Sequence, residues 1–215
     1  SQDVIVGDVS VFNQFSLLQN SDWALSLQQL VRIPSAPNNH VTDYVRYSRG
    51  DGQIDLGLTG LLDYQWKRFL FGGKAGYLKQ LSDTKKMRVP VKQGTNTEMV
   101  DRSVRRDLGD VINTSLEIFY SVGRRWSANV AYLGFFKGPD RYSGGSDQAA
   151  YWQLGVDSAQ ELHIARTGVS YLIGNPSARS GLERKWVANV NFYQPVAGQN
   201  VSEGAAAALE LQAFF

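Results

Sequence analysis

The sequence predicts an all-β fold: a transmembrane antiparallel up-and-down β-barrel, with residues 1–215 as a single domain. Three observations predict it. Apolar and polar residues alternate with period two over much of the chain. The connections between alternating segments are by turns short and long, and aromatic residues gather beside the short ones. About nine to ten strands are visible, as a whole barrel or as part of one of up to twelve.

The first candidate strands are residues 5–17 and 23–33, joined by the tight connection Leu18 to Asp22. From Gln53 to Trp66 the alternation is plainest. Ile54, Leu56, Leu58, Gly60, Leu62, Tyr64 and Trp66 take one face, and Gln53, Asp55, Gly57, Thr59, Leu61, Asp63 and Gln65 the other. After the tight Gln65 to Arg68 comes 68–80, where Gly72, Gly73 and Gly76 allow bending or close packing. Residues 108–121 set Ile112, Thr114, Leu116, Ile118 and Tyr120 against Asn113, Ser115, Glu117 and Ser121. Past the tight Val122 to Arg125, Trp126, Ala128, Val130, Tyr132 and Phe136 oppose Ser127 and Asn129. Segments 161–173, 184–195 and 205–215 bring the number to nine, each about as long as a tilted strand that crosses a bilayer.

Pro34 to Gly52 and Ser82 to Asp107 read as long polar loops. Residues 146–162 are open to several readings: a segment outside the membrane, one folded inward with helical character, or a tenth strand from Tyr151 to Ser158. Parity is awkward. With Phe215 on the tight-turn side, nine strands place Ser1 on the long-loop side, whereas single-chain bacterial barrels have even strand numbers. Upstream strands missing from this chain would also resolve the count. Ser1-Gln2-Asp3 shows no basic start or apolar h-region, so the chain reads as a mature or trimmed form.

Composition removes other classes. The 22 basic and 20 acidic side chains give a net charge of +2, which excludes a polybasic nucleic-acid tail and an acidic disordered chain. With no Cys, thiolate metal sites, disulfides and cysteine nucleophiles are excluded, and two His leave little for a histidine-rich centre. No run approaches the ~20 apolar residues of a membrane helix. The mean hydropathy of −0.28 looks soluble. A membrane barrel has the same average, because its apolar band occupies every second residue. A soluble β-sandwich is the competing reading, and the loop asymmetry, the aromatics and the last strand argue against it.

Trp23, Tyr64, Trp66, Phe69, Tyr120, Trp126 and Trp186 stand at the tight-turn ends, several beside Lys67, Arg68, Arg124, Arg125, Arg184 or Lys185. That is the pattern of an interface girdle, where an amphipathic ring is best solvated. The repeat Arg125-Trp126-Ser127-Ala128-Asn129-Val130-Ala131-Tyr132 against Lys185-Trp186-Val187-Ala188-Asn189-Val190-Asn191-Phe192 puts Trp, Ala, Val and ring positions in step. Both copies would be ascending strands, with Asn129 and Asn189 facing inward.

The chain closes on Leu209-Glu210-Leu211-Gln212-Ala213-Phe214-Phe215. This resembles the C-terminal signature of Gram-negative outer-membrane β-barrels, carried by Leu209, Leu211 and Phe215. The resemblance implies a bacterial outer-membrane location and recognition by the barrel-assembly machinery. A broader resemblance runs through Gly7-Asp8-Val9, Trp23, Ile33-Pro34, Gly50-Asp51-Gly52-Gln53-Ile54-Asp55-Leu56 and Phe71-Gly72-Gly73-Lys74-Ala75-Gly76-Tyr77. It is to the transporter-like barrels assigned to phenol meta-pathway degradation, which share features with the amyloid-secretion channel of pseudomonads.

The inward positions collect Asp8, Arg32, Asp55, Asp63, Arg68, Lys74, Glu117, Arg166 and Glu210. Charge in hydrocarbon is costly, so these face water or one another. Asp55, Asp63, Arg68, Lys74, Glu117 and Arg166 are the expected lumen lining. In a barrel of eight to ten strands such residues make a salt-bridged plug, and in a wider one they line an aqueous channel. No catalytic constellation emerges. Ser170 is seven residues from His163, over ~20 Å along a strand and of opposite parity, so it cannot complete a triad with His163 and Glu161. His40 falls in a polar loop. Seven basic against four acidic residues in Ser82 to Asp107 would bind lipopolysaccharide phosphates, steer anions, or merely be solvated.

The expected function is that of a porin-like outer-membrane channel. It would pass a small solute, or export a polypeptide, through a polar lumen narrowed by residues 139–160. It would need no cofactor, metal or nucleic acid, would sit among outer-membrane lipid and lipopolysaccharide, and is compatible with an oligomer. The alternative is a closed structural or adhesive barrel whose loops bind surface partners.

Overall fold

The computed structural model describes residues 8–34, 52–93, 95–145, 149–173, 185–201 and 204–214. In chain order the strands are β1 (Val9–Gln19), β2 (Trp23–Ile33), β3 (Asp55–Trp66), β4 (Phe69–Gln80), β5 (Asp83–Gln93), β6 (Asn96–Asp107), β7 (Val111–Ser121), β8 (Trp126–Lys137), β9 (Arg141–Ser143), β10 (Gln160–Ile173), β11 (Lys185–Gln199) and β12 (Ala206–Phe214). One 3-10 helix covers Tyr151–Gly155.

Nine strands make one antiparallel sheet in the order β1-β2-β3-β4-β7-β8-β10-β11-β12, and β5-β6-β9 make a second. The large sheet is a meander matching the nine expected segments. Its tight turns are locally encoded. Asn20 Oδ1 accepts from the Asp22 and Trp23 amides at 2.9 and 2.8 Å, an Asx turn that starts β2. Lys67 adopts left-handed backbone (φ 55°) between β3 and β4, and Gln65 Nε2 donates to its carbonyl at 2.9 Å. Pro195 lies in β11 past the last residue paired with β12, where only β10 adjoins the strand. It is tolerated because the β10–β11 register shifts there, from His163↔Ala197 to Ile164↔Pro195, leaving Val196 as a bulge.

The connection Ser82 to Asp107 is not a loop. It is the hairpin β5–β6, extended by β9. Alternation there is obscured because charges occupy both faces, and its buried side chains Val89, Val91 and Val104 are few. Residues 151–155 form the 3-10 turn rather than a tenth strand. That turn contacts β9 and β5, and Val91 bridges to Ala149, so the segment closes over one face of the small sheet.

The expected closure is not part of the described structure. β1 and β12 are the two edges of the large sheet, with no pairing between them among the described residues. Since every neighbouring pair is antiparallel, these two edges run in the same direction. Among the described residues the packed core is small and, apart from Ala131 in mid-sheet, lies at the long-loop end, in Leu78, Leu108 and Val111 of the large sheet's rim and the three valines of the hairpin.

Candidate functional site: the two faces of the large sheet

Pairing register assigns every strand residue to a face, because directly opposed residues share one. One face carries the charges. A single cross-strand row reads Asp63, Gly72, Glu117, Ala131 and Arg166. Small residues between the charged ones let the long side chains reach sideways. Arg166 spans Ala131 to place its guanidinium 2.8 Å from Glu117. Asp63 lies over Gly72, where an added Cβ would be 3.4 Å from its carboxylate. Lys74 stands one row away, opposite Leu61 and Ser115. A concavity of about 310 Å³ opens on this face, bordered by Lys74, Asn113, Ser115, Glu117, Leu133 and Ile164.

Thus five of the six expected lining residues share one face, as does Glu210, opposite Asn189. Arg68 does not. It is exposed in the two-residue turn after Trp66, because the alternation stops there and resumes at Phe69. Asp55 is fully buried at the long-loop rim, paired with Arg32 at 3.0 Å. Lys137, which the sequence reading missed, is on the same face opposite Gln160 and pairs with Asp140.

The opposite face is an exposed apolar belt. Leu25, Leu27, Val31, Leu56, Leu58, Leu62, Leu116, Ile118, Val130, Val169, Val190, Phe192, Leu209 and Leu211 all project from it. Leu116 is 66% and Leu209 79% exposed, and no second layer covers them among the described residues. At ~4.8 Å per strand the nine strands extend ~43 Å across. Soluble monomers seldom exceed about 600 Å² in one apolar patch.

Rings bound the belt at the tight-turn end. Trp23 stacks on Tyr64 at 4.2 Å, Tyr64 on Phe71 at 6.1 Å, and Phe69 contacts Trp66 at 5.9 Å and Tyr120 at 4.9 Å. Trp126 meets Tyr171 at 4.5 Å, and Trp186 continues the row opposite Ile173. The expected girdle residues therefore share one face and one end. At the other end the same face turns polar with Lys79 and Glu161, ten positions from Phe69 and Tyr171 respectively. Phe215 and His40 lie outside the described residues.

Two further clusters needed the fold to be found. On the apolar face, Tyr132 Oη lies 2.6 Å from His163 Nδ1, and His163 Nε2 lies 2.7 Å from a Glu161 oxygen. A neutral ring satisfies both contacts, accepting from the phenol and donating to the carboxylate. Glu161 and His163 at i and i+2 were a visible signal, whereas Tyr132 is brought in by cross-strand register. Ser170 faces the opposite way, as parity required. At the rim, Arg106 Nε donates to Asp83 at 2.8 Å and Gln53 Nε2 donates to the same carboxylate at 2.9 Å. Burial pushes the Asp83 carboxyl up, but the bonds from Arg106 and Gln53 and the charges of Arg106 and Lys85 outweigh it and leave the pKa lowered. Asp110 is likewise lowered: burial opposes ionisation, and the bonds from Tyr77 and Lys79 overcome it.

Among the described residues no group of three or more His, Asp or Glu is placed to hold a metal. A scan against protein-family models finds no match to this chain, and a search of curated proteins finds none either.

Proposed function

We propose that the large sheet is the wall of a bacterial outer-membrane barrel, and that its charged face lines a polar passage for a small solute or an exported polypeptide. The observation that carries the reading is the separation of faces. An apolar belt with rings at one end and Lys79 and Glu161 at the other is about ten residues deep, or ~33 Å of strand, which at a tilt of about 40° matches an apolar band ~25 Å tall. In lipid, backbone groups at open edges would be unsatisfied, so the reading requires closure of the sheet. Outer-membrane lipid, the assembly machinery and an oligomeric partner belong to the same proposal.

The Glu117–Arg166 pair supports a second reading, a closed structural barrel. If nine strands alone complete the wall, the interior is just wide enough for side chains to fill, and that pair with Asp63 and Lys74 becomes a plug. Planar-bilayer recording separates the two. A channel gives unitary conductance, with cation preference falling in Asp63→Asn and rising in Lys74→Gln. Inserted protein without current refutes the channel and leaves the plug. Protein that stays monodisperse in water without detergent would refute both.

A further inference from the structure

The small sheet has one covered face and one bare one, and they differ in chemistry. The covered face holds Val89, Val91 and Val104, with the almost fully buried Arg106 held by Asp83. Tyr142 lies opposite Arg106, so the 3-10 segment, which contacts β9 and β5, closes on this side. The bare face holds the alternate residues: Lys86, Arg88 and Lys92 on β5, Arg105 on β6 and Arg141 on β9, against Asp101 and Asp107. Asp101 sits 3.5 Å from Arg88. Lys86, Lys92 and Arg141 have no carboxylate partner within ion-pair distance among the described residues. Strand geometry puts Lys86 ~7 Å from Arg88 and, diagonally, ~7–8 Å from Arg105.

We infer that this bare face binds the phosphorylated saccharide headgroup of a glycolipid. Lys86 and Arg105 at such spacing can each engage one phosphate of a disaccharide, beside the Arg88–Asp101 pair, and the flanking Thr84, Ser103 and Ser143 hydroxyls suit a sugar. The membrane location of those headgroups rests on the function proposed above; the chemistry of the face does not. Gln53, two residues before β3, donates to Asp83 on the covered side, so it is the covered side that meets the large sheet's rim.

The test uses the full chain folded in detergent micelles and a soluble de-acylated glucosamine disaccharide bisphosphate, titrated by calorimetry. The expected result is saturable binding that weakens with salt and falls about thirtyfold in the Lys86→Gln/Arg105→Gln double variant. The Lys85→Gln/Arg102→Gln variant, with the same charge change on the covered face, should stay within about threefold of the parent. Equal affinity for the unphosphorylated disaccharide, or equal loss in both variants, overturns the inference. So does inorganic phosphate competing at the concentration of the headgroup, since the site would then recognise free phosphate. A chain that enters bilayers but ignores the headgroup overturns this inference alone, whereas one that binds it yet needs no detergent overturns the membrane reading alone.

Discussion

Gly168 stands where two asparagines meet. A Cβ there would fall against the amides of Asn129 and Asn191 and 3.0 Å from the Val190 carbonyl, so Gly168→Ala should cost about 1–3 kcal/mol through overpacking. Gly73 is different. Its nearest atoms, Leu62 O and Leu116 Cδ2, are 3.8 and 3.9 Å from an added Cβ, and Gly73→Ala should stay within about 0.5 kcal/mol of the parent. Urea midpoints of the two variants in detergent check the contrast. At the rim, Asp83→Asn removes the carboxylate that meets the buried Arg106 guanidinium at two nitrogens and should destabilise the hairpin by about 2–3 kcal/mol. Because the Asp83 pKa is lowered on folding, its contribution is complete above the ordinary aspartate value of about 3.9 and disappears as pH falls through the lowered value. Hydrogen exchange of β5 and β6 amides at pH 6 and below 3 should show this loss in the parent and much less of it in Asp83→Asn. Such residues illustrate the limit of pattern reading. Asp63, Lys74, Glu117 and Arg166 were legible from parity alone, but the pairing of Glu117 with Arg166 across Ala131 required register, which parity does not specify.

At the scale of the element, the strands of the large sheet were legible because each keeps one apolar and one polar face, and only period two satisfies that arrangement. Bounds shifted by a few residues, as with β1 at Val9–Gln19, where Leu17 forms a bulge between Ser16 and Leu18. β5 and β6 were not legible. Their covered face is apolar at only a few positions and interrupted by Lys85 and Arg102, and it becomes a core only when residues 149–155 fold over it. The repeat shared by β8 and β11 falls in step on the sheet: Trp126 and Trp186 share the apolar face, and Asn129 and Asn189 the charged one. This yields a test at the same scale. In lipid, Val130→Arg should destabilise by about 2–4 kcal/mol, while Asn129→Arg on the next residue should cost far less. Refolding into bilayer vesicles measures both. Equal effects would mean that the two faces of β8 meet similar surroundings, contrary to the function proposed here.

For the whole molecule, the described residues hold no conventional core: apart from Ala131 the buried apolar side chains gather at one end, and the belt is exposed. A solvent that welcomes that belt should raise the unfolding temperature, so melting followed by circular dichroism should move upward with detergent chain length until the micelle matches the ~25 Å band. The edges bring a constraint of their own. β1 and β12 travel the same way, from the long-loop rim toward the tight turns. A second copy inserted the same way up offers only edges of that same heading. Copies meeting edge to edge, or one copy curling until its own edges touch, would therefore make a seam of parallel strands, with slanted and slightly weaker hydrogen bonds than the other eight junctions. A seam like its neighbours calls for a strand that climbs where these two descend.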